Sequence, residues 1–297
     1  MRSTLNRFRH FLAIDWSGAV GERHKGIALG LCDQSGGAPV SLVRDRPWSR
    51  EDVLAYLLDE LPPDTLVGLD LGISFPFADA GAFFPGWKES PRDARRLWAF
   101  IDELCAGDPH LSAASFVDHP VASRYFRRHG GREGARFHLP GAPDRRGRFR
   151  ITERAQIGMG CKPTSNFNLV GAAQVGKSSL TGMRMLHRLQ TRVPVWPVDP
   201  LPGRGPVIVE IYTALAAIAA GRSASRAKMT DHTALNQALL HLGSRCIAAT
   251  GPIDDHTTDA LVTSAWLRAN AHRGELWRPR GLDQRSACTE GWTFGAR

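Results

Sequence analysis

Two short apolar runs, each closed by an aspartate, constrain this chain more than any other feature. Phe11-Leu12-Ala13-Ile14-Asp15 delivers a carboxylate to the end of a strand, and Trp16-Ser17-Gly18-Ala19 follows at once. Fifty-five residues later Leu66-Val67-Gly68-Leu69-Asp70 repeats the pattern ahead of Leu71-Gly72-Ile73-Ser74. An ionised carboxylate ending a buried strand is costly unless it meets a cation or hydrogen-bond donors. Two such strands side by side would bring both carboxylates to one sheet edge, an arrangement that holds a divalent metal.

The residues between the two runs decide whether those strands can be neighbours. Gly26–Leu31 reads as a second strand, ended by Gln34-Ser35-Gly36-Gly37, and Pro39–Val43 as a third. Ser49 caps a helix with Glu51 and Asp52 in its first turn. Val53, Leu54, Leu57, Leu58 and Leu61 recur at helical spacing until Pro62-Pro63 stops it. The predicted order is strand, strand, strand, helix, strand. A meander followed by a helical crossover sets the first and fourth strands next to each other.

With aspartates on those two strands, the order resembles the ribonuclease H-like fold shared by nucleases, integrases and junction resolvases. More narrowly, Ile14-Asp15-Trp16-Ser17-Gly18, Gly68-Leu69-Asp70, Val209-Glu210-Ile211-Tyr212, Asp259-Ala260-Leu261 and the ending Glu290-Gly291-Trp292-Thr293-Phe294 are similar to a little-studied bacterial family of predicted nucleases of this fold. The resemblance covers residues 10–75 and 205–297. It implies one α/β domain, a ribonuclease H-like mixed sheet flanked by helices; residues 76–204 do not fit that minimal fold and read as a large, basic, partly mobile insertion. In that family the strand glutamate is followed by an aromatic residue and a proline. Here Thr213 takes the proline's place, which leaves the exit from the strand open.

The chemistry expected of these residues is metal-dependent hydrolysis of a phosphodiester in nucleic acid. Asp15 and Asp70 would be the principal ligands of Mg²⁺ or Mn²⁺. Asp259, in the opening of a helix predicted from Asp254 to Leu267, would be the third. Asp255 lies four residues earlier on the same helix face, and Glu210 ends the resumed strand; either would be auxiliary. Such ions align a water and a phosphodiester, lower the water's pKa and neutralise developing charge. Taken singly, the acids have ordinary readings: a helix cap for Asp254 or Asp255, a turn for Asp70, an ion pair for Asp15. For His256 the ordinary reading, a hydrogen bond at the helix start, is preferred over proton transfer.

The central stretch offers the binding surface. From Arg124 to Arg154 there are ten arginines against three acids, with Tyr125, Phe126, Phe137, His138 and Phe149 interleaved. Basic residues among aromatics suit a nucleic-acid strand, and Arg145, Arg146, Arg148 and Arg150 are candidates to hold it. The competing reading is a solvated loop whose aromatics pack on the body. Gly171-Ala172-Ala173-Gln174-Val175-Gly176-Lys177-Ser178 also satisfies GxxxxGK[ST], the phosphate-wrapping loop. That loop needs a strand directly before it, and Thr164–Val170 is poor strand material. A smaller expectation remains, that Lys177 and Ser178 bind a substrate phosphate at a helix start.

Composition limits the alternatives. A formal charge of +9 and a pI near 9.9, nearly all from arginine, favour a polyanionic partner or reflect composition and solubility alone. Five scattered cysteines without a CxxC pair argue against zinc or a disulfide framework. The basic start is broken by Asp15 too early for a signal-peptide core, so a cytoplasmic protein with no membrane span is expected. Two other function classes stay open. One is an ATP-handling enzyme of the actin-like or P-loop type; the other is a non-catalytic nucleic-acid-binding module.

Overall fold

The computed structural model describes residues 7–140, 142, 146–171, 174–222 and 229–297. Its centre is a six-stranded mixed sheet in the order β3-β2-β1-β4-β6-β5. The strands are β1 (His10–Asp15), β2 (Ala28–Asp33), β3 (Val40–Ser41), β4 (Thr65–Asp70), β5 (Val195–Trp196) and β6 (Val207–Glu210). β1, β2 and β3 pair antiparallel as a meander, whereas β1, β4, β6 and β5 run parallel. The expected strands are present, with β2 beginning two residues later than Gly26 and β3 cut to two residues. Between β3 and β4 lies α1 (Arg50–Ala55), which continues as a wider turn over Tyr56–Glu60. Ser49 and Asp52 form a reciprocal capping box at its start.

Alternation along the strands builds two cores. Leu12, Ile14, Val67, Leu69 and Ile208 face one layer, packed with α2 (Ala94–Leu104) and α5 (Val175–Leu189). Phe11, Ala13, Leu66, Val207 and Val209 face the other, covered by α6 (Thr213–Ala219), α7 (His232–His241), α8 (Asp255–Asn270) and the carboxyl-terminal residues. Strands buried on both faces are apolar at every position, which explains the near-continuous hydrophobic runs of β1 and β4. Asp93 caps α2, Asp231 caps α7 and Asp254 caps α8, each accepting a backbone N–H.

Glycine decides how closely α8 approaches. At Gly30 a Cβ would lie 2.6 Å from the backbone of Ala260, so the helix rests directly on β2. That contact seats the first turns of α8 beside the end of β1.

Residues 76–204 do more than decorate this sheet. They supply α2, α5 and the short helices α3 (Ala114–Asp118) and α4 (Ile151–Gly158), and β5 extends the sheet beyond β6. Their aromatics stack into the first core: Phe75 lies 4.6 Å from Phe167, and Phe84 packs against Tyr125 and Phe116. The short helices α3, α4, α6, α9 (Gly274–Trp277) and α10 (Gln284–Thr289) had no counterpart in the sequence expectations. Among the described residues no helix is long and apolar enough to cross a membrane.

Candidate active site

Parallel pairing of β1 with β4 sets Asp15 opposite Asp70 in register, at the carboxyl ends of both strands. There the chain leaves the sheet on both sides, and a cleft of about 480 Å³ opens. Asp70, Trp16, Ser17, Gly18, Ser178 and His256 are among its lining residues. Clefts at the carboxyl ends of parallel strands are the usual binding position in open α/β sheets.

The two carboxyls are held differently. Burial pushes the Asp70 carboxyl well above the usual carboxylate range, and the charges of Asp15 and Asp259 push it further. Thr213, standing where the resembled family has proline, offers its hydroxyl 3.3 Å from Asp70 Oδ2. Burial also raises the Asp15 pKa, opposed by His256, whose Nδ1 lies 2.8 Å from Asp15 Oδ2. That hydrogen bond, followed by the charge of Asp15, raises the His256 pKa against the effect of burial. An ionised Asp15 accepts, so the proton sits on Nδ1. His256 therefore ties the start of α8 to β1, and the preferred sequence reading of a bond at its own helix start is corrected. The signal was available only as its position three residues before Asp259.

Asp255 and Asp259 reach the site by charge: Asp255 acts on Asp15, and Asp259 on Asp70. Among the described residues, however, no three His, Cys, Asp or Glu side chains are grouped to hold a metal ion. The arrangement is a carboxylate pair with outlying acids rather than the three-ligand cluster expected from the sequence.

Glu210 is placed as expected on β6 next to β4, in register with Leu69. Its carboxylate is already saturated. Oε2 accepts from the Ile73 N–H at 2.8 Å and from Arg150 Nη1 at 2.8 Å. Oε1 accepts from Arg150 Nη2 at 2.6 Å and from the Thr293 hydroxyl at 2.5 Å. Glu210 thus belongs to a buried ion cluster at the cleft floor, and its assignment as an auxiliary ligand or base is corrected. Arg150 also bonds Glu153 and the Glu290 carbonyl, which uses all its nitrogens. Burial alone would lower the Arg150 pKa, but Glu153 and Glu210 outweigh it and raise it.

The basic stretch separates in the same way. Arg148, with its side chain 1% exposed, spans Asp79 and the carbonyls of Pro76, Ala82 and Phe83. Arg148 and Arg150 are interior braces, and their assignment to a polyanion is corrected. Tyr125, Phe126, Phe137 and Phe149 are buried, so the stacking platforms expected of them belong to the core. Arg146 is exposed and lies over the Phe149 ring. Arg145 lies outside the described residues, as do Ala172 and Ala173 of the GxxxxGKS match.

The described part of that match has a packing explanation. No strand occurs among the described residues from 164 to 171, so the strand that a phosphate-wrapping loop requires is missing. Gly176 is instead needed because a Cβ there would lie 2.4 Å from the Asn166 carbonyl oxygen. Gly18 answers it from the other side: a Cβ there would lie 2.4 Å from the Ser178 nitrogen. The turn after β1 therefore rests on the first turn of α5. Ser178 lines the cleft, whereas Lys177 is not among its lining residues.

Sequence reasoning also missed Arg50, which fixes the cleft's rim. Its buried guanidinium donates to the Ser17 carbonyl at 3.1 Å, the Ala19 carbonyl at 2.5 Å and the His110 carbonyl at 2.7 Å. Burial pulls its pKa down to about 10. An arginine opening a helix reads as surface, and nothing local marks it as a brace.

Fold and site together define a mixed α/β protein with an acidic cleft at the carboxyl ends of its parallel strands. Comparison with protein-family models, with curated proteins and with solved structures finds no match.

Proposed function

We propose that this cleft hydrolyses phosphodiesters of nucleic acid with the help of a divalent metal, on a ribonuclease H-like sheet. The observation that carries the reading is the in-register pair Asp15 and Asp70 at the carboxyl ends of β1 and β4, two carboxyls whose pKa values burial raises, with Asp70 lining the cleft. Like charges gathered in a desolvated position are unfavourable by themselves, and a bound cation removes the penalty. The strand order, with the first and fourth strands adjacent, is the one the family resemblance implies.

The donor set fits Mg²⁺ or Mn²⁺ without a third protein ligand. Mg²⁺ keeps several waters and is commonly bound by one or two carboxylates plus substrate phosphate oxygens. Asp15 and Asp70 would hold it, supplying hard oxygens; bound there, it would polarise the phosphodiester and acidify a water. His256 keeps the Asp15 carboxylate in one orientation through Nδ1. Arg50, by fixing Ser17 and Ala19, keeps the rim that Ser178 shares. Asp255 and Asp259 add negative potential that favours a cation over an anion at this end of the sheet.

The test is incubation with labelled single- and double-stranded DNA and RNA in Mg²⁺, Mn²⁺ or EDTA, beside Asp15→Asn and Asp70→Asn. Cleavage that needs metal and is lost in both variants is the expected result. Binding without cleavage, equal in all three proteins, would replace the reading with a nucleic-acid-binding module.

A further inference from the structure

Two amides on the cleft wall face the same constraint. Gln156 is 3% exposed and Asn166 is 2% exposed, yet both line the cleft. Asn166 Nδ2 donates to the Ser74 carbonyl at 2.8 Å, and a carbonyl can only accept. The amide is thereby fixed with its oxygen turned away from Ser74. Gln156 is fixed by a longer chain of reasoning. Glu210, ionised by its pairing with Arg150, can only accept, so the Thr293 hydroxyl gives its proton to Glu210. The Thr293 oxygen must then accept from Gln156 Nε2, 2.8 Å away. Each side-chain oxygen is consequently the unused end of its amide. Among the described residues neither accepts a hydrogen bond from the protein, and neither is sealed from solvent as an orphan.

The cleft wall thus presents hydrogen-bond acceptors. With no protein donor taken up, each oxygen is open to the solvent of the cleft, and a ligand that supplies a donor takes the place of water there. The volume of about 480 Å³ lies within the range of small-ligand sites and suits one nucleotide unit rather than a duplex. We propose that the cleft receives a single nucleoside unit and that Gln156 and Asn166 accept hydrogen bonds from its donor group, an exocyclic amine or a ribose hydroxyl. The inference rests on the nucleic-acid reading above and adds its substrate class: single strands or free ends, whose bases can enter one at a time. Gly72 supports the arrangement, since a Cβ there would lie 2.2 Å from Asn166 Nδ2 and displace the amide.

The test is a binding measurement in EDTA, which needs neither metal nor turnover and so survives a failure of the hydrolysis reading. Adenosine and cytidine would be titrated by ligand-observed NMR beside their N,N-dimethylamino and 2′,3′-dideoxy forms. A loss of about tenfold on dimethylation identifies the amine; the same loss in the dideoxy form identifies the hydroxyls. Gln156→Met or Asn166→Leu should then abolish that discrimination. Equal affinity for all three forms, or no nucleoside binding at all, would overturn the proposal. Because the comparison between ligands uses the wild-type protein, it stands even where a variant fails to fold.

Discussion

Two groups of carboxylates share this cleft, and they are built on opposite principles. At the floor, Glu153 and Glu210 enclose Arg150, and a backbone N–H and a hydroxyl complete the shell of Glu210. At the rim of the sheet, Asp15 and Asp70 face each other with only a histidine and a threonine hydroxyl as described hydrogen-bonding side chains. The floor glutamates are buried, whereas Asp15 and Asp70 are half-buried. The floor cluster is compensated within the fold by Arg150 and by backbone and hydroxyl donors, and it braces α4 (through Arg150 and Glu153), β6 and the carboxyl-terminal residues against one another. The rim pair carries an electrostatic cost that the fold leaves in place, as expected where a ligand is to bind. The comparison separates acids that the fold compensates from acids that it does not by what surrounds them, which their shared residue types do not.

The largest effect should come from breaking the floor. Arg150→Met leaves two buried carboxylates uncompensated and should cost about 3–5 kcal/mol, read as a lower midpoint in urea unfolding. A change near zero would mean that the floor does not brace the fold.

The rim should respond in the opposite direction. Asp70→Asn should reduce metal-dependent cleavage by about 100-fold or more, since electrostatic stabilisation of several kcal/mol is lost. The same variant should be more stable than wild type at pH 7. The sign follows from the raised pKa: the folded state holds the Asp70 proton more tightly than the unfolded chain. Its contribution to stability is therefore present at pH below the ordinary carboxylate range and lost as the pH rises through the folded value. The stability gap between Asp70→Asn and wild type should be small near pH 4 and widen towards neutrality. A variant less stable than wild type at pH 7 would place Asp70 with the floor cluster.

Metal should sharpen the contrast. Mg²⁺ at about 100 times its Kd should stabilise the wild-type protein by about 2.7 kcal/mol and leave Asp70→Asn nearly unmoved. Thermal unfolding with and without EDTA reads the difference. Equal shifts in both proteins would move the cation away from the rim.

The smallest effect should come from the cap of α8. Asp254 accepts the Thr257 N–H at 2.9 Å, and Asp254→Ala should cost about 1 kcal/mol by urea unfolding. Because this cap positions the turn that carries His256, the proposed nuclease activity should fall with little change in the floor. Unaltered activity would show that the helix start is held by the Asp15–His256 contact alone.

The local sequence contained a good part of the fold. Apolar runs marked β1 and β4, and Ser49 and Asp254 marked two helix starts at their observed caps. These features are local, set by side-chain alternation and by hydrogen bonds within a few residues. The pairing of Asp15 with Asp70 was also legible, because a meander and one crossover leave little choice of neighbour. What the sequence could not carry was the assignment of charge. Arg146, Arg148 and Arg150 alternate within five residues, yet the first is exposed while the other two are enclosed by Asp79, Glu153 and Glu210. Their partners lie as many as 69 and 60 positions away in the chain. His256 finds Asp15 across 241 positions, and the orientation of Gln156 depends on Thr293 and Glu210 together. The chain by itself determined the order of the first four strands and which acids end β1 and β4, since those depend on short-range sterics and periodicity. Only the tertiary structure decided which charges are paired and which are not, because desolvation and pairing are properties of the assembled interior.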